Sequence, residues 1–148
     1  MISFCTMVYN RWSTLERLLA TLSKQVDPNF EVVVVDLGST DVDLKRELPK
    51  FKMKSRLLIK PIAKNGKINR AAGRNHCVRA SRASESDILF FLDADMLVPN
   101  DFCQLVLSNV SVGTCFFPIC YSLHKGKPAV VAGDLSHWRR GASELSNG

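Results

Sequence analysis

Two carboxylates, Asp93 and Asp95, stand one residue apart at the end of the apolar run "ILFFL". On an extended backbone, residues i and i+2 point to the same side, so the pair would crowd. Carboxylates held close repel unless a proton or a cation intervenes. Their hard oxygens suit Mg2+ or Mn2+, ions that keep coordination positions open for substrate phosphates. Such an ion can neutralise a diphosphate leaving group. The tripeptide is equally compatible with a plain turn, Asp93 capping the strand end and Asp95 starting the turn. The apolar run before the pair and a basic segment earlier in the chain weigh toward metal and phosphate.

That basic segment carries Lys60, Lys64, Lys67, Arg70, Arg74, Arg79 and Arg82, with no Asp or Glu from residue 60 to 82. Arg70 and Arg74 fall one helical turn apart on one face. Ala71, Ala72 and Gly73 between them are small, so another backbone or a ligand can approach closely. An Arg near a helix N-terminus adds its donors to the free backbone N–H groups there, which suits phosphate. The segment points to an anionic partner, a phosphate-bearing small molecule or a nucleic acid. Arg79 and Arg82 read as ordinary solvated cations.

The elements that must position these groups follow from periodicity. Residues 2–8 read as a mostly buried strand, and "FEVVVVD", residues 30–36, as a strand buried on both faces. Between them Leu15, Leu18, Leu19 and Leu22 mark an amphipathic helix over about residues 13–24, with Ser13 and Glu16 spaced as a capping box. Asp41 is placed to cap a helix carrying Val42, Leu44, Leu48 and Phe51. Residues 56–60 give a third strand, and Asn69 caps a helix running to about Ser81. Residues 87–93 form a fourth strand, followed by a helix with Phe102, Leu105 and Val106 inward. Residues 114–122 and 128–132 read as two later strands, with a bulge or edge at Pro118. This alternation predicts an α/β fold: a mainly parallel sheet flanked by helices. Ligands in open α/β sheets bind at the carboxyl ends of strands. The turns of interest are therefore Tyr9 to Arg11, Asp36 to Asp41, and Asp93 to Asp95.

With 148 residues, 46% of them apolar, one domain with a packed core is expected. The apolar runs are well short of the roughly 20 residues that span a bilayer, and no secretory leader is recognisable. Five cysteines without a C-x-x-C pair read as reduced, mostly buried thiols. Cytoplasmic location is the expectation.

Taken together, "SFCTMVYNR", "EVVVVDLGSTD", "NGKINRAAGRN" and "ILFFLDADM" resemble, in order and spacing, the nucleotide-sugar-binding half of family-2-type glycosyltransferases with the GT-A (Rossmann-like) fold. "CFFPICYSL" and "HWRRG" are similar to segments of chondroitin-synthase-type transferases. The resemblance implies hexosyl or N-acetylhexosaminyl transfer from a UDP-sugar donor to a saccharide or other hydroxyl acceptor, metal-dependent through Mn2+ or Mg2+, with inversion. It places Thr6 and Tyr9 against the nucleoside, Asp36 on the uracil ring and Arg74 near the base or diphosphate. Asp93 would meet the ribose or a metal-bound water, and Asp95 the metal. Where the family often has Pro two residues before the Tyr, this chain has Met7. The family's catalytic carboxylate, in its acceptor-binding half, has no matching segment here, so the implied domain, residues 1–148, is truncated before that half. Asp134 and Glu144 are the late acids, and His124 and His137 are candidate metal ligands or surface residues. Two other readings remain: a nucleotide-sugar-binding module without turnover, and a basic nucleic-acid-binding domain. Against the second, aromatics do not interleave with the basic run as a stacking surface requires.

Overall fold

The computed structural model describes residues 1–60, 67–118, 120–123 and 142–144. Four parallel strands form the main sheet in the order β3-β2-β1-β4. They are β1 (Ile2–Val8), β2 (Phe30–Asp36), β3 (Ser55–Ile59) and β4 (Ile88–Phe91). The helices are α1 (Trp12–Leu22), α2 (Leu44–Glu47), α3 (Arg70–Ala80) and α4 (Phe102–Asn109), with a 3-10 turn at Leu48–Lys50. Two short strands, β5 (Tyr121–Leu123) and β6 (Ala142–Glu144), pair antiparallel apart from the main sheet.

Every residue of β2 is buried, as the continuous valine run predicts for a strand covered on both faces. Val32 and Val34 face the larger core with Ile2, Phe4 and Val8 of β1 and the stripe Leu15, Leu18, Leu19 and Leu22 of α1. The Phe4 ring centroid lies 5.7 Å from Phe30, 5.9 Å from Phe90 and 5.9 Å from Phe102. These contacts pin α4 onto the sheet; aromatic pairs at such spacing contribute about 0.5–1.5 kcal/mol each beyond their buried area. Val33 and Val35 face the other way, against Cys5, Leu37 and Cys77. There α3 lies close to β1, because a Cβ at Gly73 would stand 2.6 Å from Met7 Sδ. The absent side chain is what sets the depth at which Arg74, the next residue, is presented.

The five cysteines are free thiols, and Cys5, Cys77 and Cys103 are buried. A hydrogen bond with the Cys77 thiol and burial raise the Cys5 thiol above its ordinary range. Burial and the charge of Asp27 push Cys103 up to about 12. Neither residue is a nucleophile at neutral pH.

Several expected boundaries move for identifiable reasons. The first helix begins at Trp12 without a side-chain cap from its own N-cap residue. Instead Asp41 Oδ2 accepts from Trp12 N at 2.9 Å. Asp41 therefore caps α1 across the loop, and Asp43 caps α2, accepting from Lys45 N at 3.1 Å. Because β1 and β2 are neighbours, their carboxyl-end loops are close enough to exchange caps, a pairing that local spacing does not reveal. The third strand is 55–59, one residue earlier than expected. The fourth stops at Phe91, although Leu92 N still donates to Cys5 O at 2.9 Å. In α4 the buried face is Phe102, Cys103 and Val106, and Leu105 is 42% exposed beside it. Residues 114–118 are not a strand: among the described residues none pairs with them, and Phe117 is exposed. The expected strand 128–132, the segment "HWRRG", and Lys64, His124, Asp134 and His137 lie outside the described residues.

Candidate nucleotide-sugar site

The carboxyl ends of β2, β1 and β4 lie side by side. They carry Asp36, then Thr6 with the Tyr9 to Arg11 turn, then the Asp93 to Met96 turn. Strands are spaced about 4.8 Å apart, so β2 and β4 are separated by about 10 Å. That is a span a nucleoside diphosphate can bridge from base to phosphates. Because α3 follows β3 and leads into β4, it runs antiparallel to the strands, and its N-terminal half with Arg70 and Arg74 stands at this same end. Both arginines are exposed, and Arg74 makes no ion pair among the described residues. The predicted Asn69 cap is present, Asn69 Oδ1 accepting from Ala72 N at 2.9 Å.

Asp36 is only 5% exposed. Its Oδ1 accepts from Gly38 N at 3.1 Å and Ser39 N at 2.8 Å, folding the loop back over the strand end. Gly38 has φ 103°, the left-handed region that this turn requires and that glycine adopts without strain. One carboxylate oxygen thus builds the loop, which leaves the other for a ligand donor.

The extended backbone expected through Asp95 is corrected by the structure. Met96 N donates to Asp93 O at 3.1 Å, so Asp93 to Met96 is a hydrogen-bonded turn. Burial still alternates: Leu92 and Ala94 are buried while Asp93 and Asp95 are both exposed. The two carboxylates are open to solvent and to ligand. Asp95 Oδ2 is 3.5 Å from Arg11 Nη1. Among the described residues, no group of three or more His, Cys, Asp and Glu side chains could hold a metal ion. That does not count against Mg2+ or Mn2+, which are commonly held by one or two carboxylates with substrate phosphates completing the shell.

Tyr9 is half-buried against the smaller core cluster of Cys5, Val33, Val35, Leu37 and Cys77. Thr6 is 3% exposed, and its Oγ1 has no hydrogen-bond partner among the described residues. A buried hydroxyl left unpaired costs about 1–3 kcal/mol. We therefore expect Thr6→Val to raise the melting temperature by about 2–4 °C, the equivalent of roughly 1 kcal/mol in a chain of this size. A lowered melting temperature in a thermal scan would mean that the hydroxyl has a partner in solution.

Sequence reasoning singled out the turn after β1 but gave Asn10 and Arg11 no role. Asn10 is the described non-glycine residue with positive φ, at 49°. Its Oδ1 accepts from Thr40 N at 2.7 Å, and its own N donates to Ser39 Oγ at 3.1 Å. With the Asp41 cap on Trp12, these bonds lock the loops after β1 and β2 together. The available signal was an Asn in a tight turn, since Asn tolerates the left-handed region. A separate groove of about 460 Å3, lined by Leu44, Leu48, Leu57 and Ile59 among others, lies between α2 and β3 and contains none of the site carboxylates.

Comparison with known proteins points the same way. Residues 3–121 match the family model described as glycosyl transferase family 2. An uncharacterized glycosyltransferase of Bacillus subtilis (strain 168), YfnE, is 39% identical over 94 residues, covering 63% of this chain and 22% of that protein. A validoxylamine A glucosyltransferase of Streptomyces hygroscopicus subsp. jinggangensis (strain 5008) is 31% identical over 128 residues, covering 78% of this chain and 29% of that protein. The chain therefore spans less than a third of the length of these relatives. A crystal structure of S. aureus TarS 1-349 in complex with UDP superposes with a TM-score of 0.59 at 25% identity, over 72% of this chain and 31% of that one. Among the described residues, no helix is long and apolar enough to cross a membrane.

Proposed function

The chain belongs to glycosyl transferase family 2, and from that premise we propose that it forms the UDP-sugar-binding part of a metal-dependent, inverting hexosyl- or N-acetylhexosaminyltransferase. The observation that carries this reading is the placing of acids at the two outer members of three adjacent strand ends: buried Asp36 at β2 and exposed Asp93 and Asp95 beyond β4, with β1 between them. A buried carboxylate with one oxygen unspent suits the N3–H donor of uracil, and an exposed pair suits the diphosphate end. The UDP held by the 25%-identical neighbour supports the choice of nucleotide.

In this reading Tyr9 lies along the nucleoside and Asp36 accepts from the base. Thr6, beneath them in β1, shapes the floor of the cleft. Arg74, presented at the N-terminal half of α3, faces the diphosphate with a guanidinium fork matched to phosphate oxygens. Asp95 would hold Mn2+ or Mg2+, with Asp93 on the ribose or a water of that ion. When bound, the ion supplies positive charge at the departing diphosphate. The acceptor is a saccharide or other hydroxyl compound.

Calorimetric titration of UDP in Mn2+ and in EDTA tests the assignment. We expect at least roughly tenfold tighter binding in Mn2+, a difference of about 1.4 kcal/mol, and we expect the two affinities to converge in Asp95→Ala. Equal affinity in both media for the unaltered chain would sink the metal assignment. An unaltered preference for Mn2+ in Asp95→Ala would move the ion elsewhere.

A further inference from the structure

We infer that Arg11 is a phosphate-positioning side chain of this site, and that in the free protein its guanidinium occupies Asp95 and so makes divalent-cation binding depend on the nucleotide. The inference rests on the reading of Asp95 given above. Arg11 Nη1 lies 3.5 Å from Asp95 Oδ2, joining the loops that follow the neighbouring strands β1 and β4. The side chains are 66% and 52% exposed. Such a pair is weak and readily exchanged.

The main chain on which Arg11 stands is held on both sides. Asn10 before it is fixed by Ser39 and Thr40, and Trp12 after it by Asp41. The Arg11 carbonyl accepts from Leu15 N at 3.1 Å and Thr14 Oγ1 at 3.0 Å. This geometry anchors the base of the side chain and leaves its charged head free to swing.

Charge decides what the head does. Asp93, Asp95 and Arg11 together carry a net −1. A dication arriving alone at Asp95 meets the guanidinium already there and must displace it. A nucleoside diphosphate brings anionic oxygens that both cations can share, and the planar fork of Arg suits those oxygens better than a point charge does. Nucleotide and metal therefore favour each other's binding, and by linkage the effect is reciprocal. Arg11 adds to that coupling in two ways: it lowers metal affinity in the free protein and raises nucleotide affinity in the loaded one.

The test uses MnCl2 and UDP with the unaltered chain, Arg11→Met and Arg11→Lys. Free Mn2+ is counted by electron paramagnetic resonance without nucleotide, UDP affinity is measured by calorimetry in saturating Mn2+, and thermal melts check folding. Arg11→Met, which keeps the apolar stem, is expected to bind Mn2+ alone about two- to fivefold more tightly, the scale of an exposed ion pair. It is expected to bind UDP with Mn2+ roughly tenfold more weakly, the scale of a lost charge-assisted hydrogen bond. Arg11→Lys should fall between the two. If Arg11→Met binds Mn2+ and UDP as the unaltered chain does, the inference is overturned while the reading of the site stands. If the unaltered chain binds no UDP in Mn2+, both fail together.

Discussion

Asp36→Asn lowers UDP affinity by roughly 10–100-fold and leaves ADP affinity nearly unchanged. The substitution is chosen from the two oxygens of the native carboxylate. Oδ1 holds the amides of Gly38 and Ser39, and an Asn carbonyl can go on accepting from both. The other position becomes an NH2 group, a donor facing the N3–H donor of uracil. The lost charge-assisted hydrogen bond is worth about 1.5–3 kcal/mol, which at 1.4 kcal/mol per decade gives the stated range. Adenine presents no N–H at the corresponding ring position, so ADP reports only on loop and phosphate contacts. Asp36→Ala cannot make this separation, because it removes the loop anchor together with the acceptor. Calorimetry with both nucleotides in Mn2+ reads the result. If UDP and ADP weaken alike in Asp36→Asn, Asp36 holds the loop and does not read the base.

What could be read from sequence divides along the range of the interactions involved. The valine run of β2 and the leucine stripe of α1 were legible because burial imposes a period on the chain. The Asn69 cap of α3 was legible because a cap acts three residues away, Asn69 to Ala72. Asp41 was assigned to its own helix by the same local rule, and the structure gives it to α1, 29 residues back. Nothing in the local pattern distinguishes the two, since the choice is made by strand adjacency. Arg11 and Asp95, 84 residues apart, meet only because β1 and β4 are neighbours. The carboxylate pair was singled out for its chemistry, and the backbone that carries it was misread. A strand's end is fixed by where its partner ladder stops, and here that is just beyond Phe91.

The deepest omission was Glu31, which sits within the run "FEVVVVD" and reads there as one polar residue at a strand's start. It is 3% exposed. Its Oε1 accepts from Ser3 Oγ at 2.8 Å and Arg82 N at 2.6 Å, and its Oε2 is 3.5 Å from Arg56 Nε. Arg56 in turn donates through Nη1 to Ala80 O at 2.9 Å. One carboxylate thus ties β1, β2, β3 and the exit of α3 at the amino-terminal end of the sheet. Glu31→Ala strands a buried hydroxyl and an amide and leaves Arg56 without its counter-charge. Removing one partner of a fully buried pair costs about 3–5 kcal/mol. Arg56 is partly open to water, which reduces this to about 2–4 kcal/mol, a fall of roughly 5–15 °C in melting temperature. Glu31→Gln keeps an acceptor for Ser3 and Arg82 but turns an NH2 donor toward Arg56, whose partly exposed guanidinium can swing to water, so about 1–2 kcal/mol is expected. Melts of both variants should therefore rank Ala well below Gln; equal losses would mean that the charge, not the acceptor, is what matters. Five residues of strand, about 16 Å, separate Glu31 from Asp36. UDP affinity measured well below the melting transition should accordingly be the same in Glu31→Gln as in the unaltered chain. A weakened affinity there would show that the two ends of β2 do not act separately, the base of the sheet holding the frame and its carboxyl end reading the nucleotide.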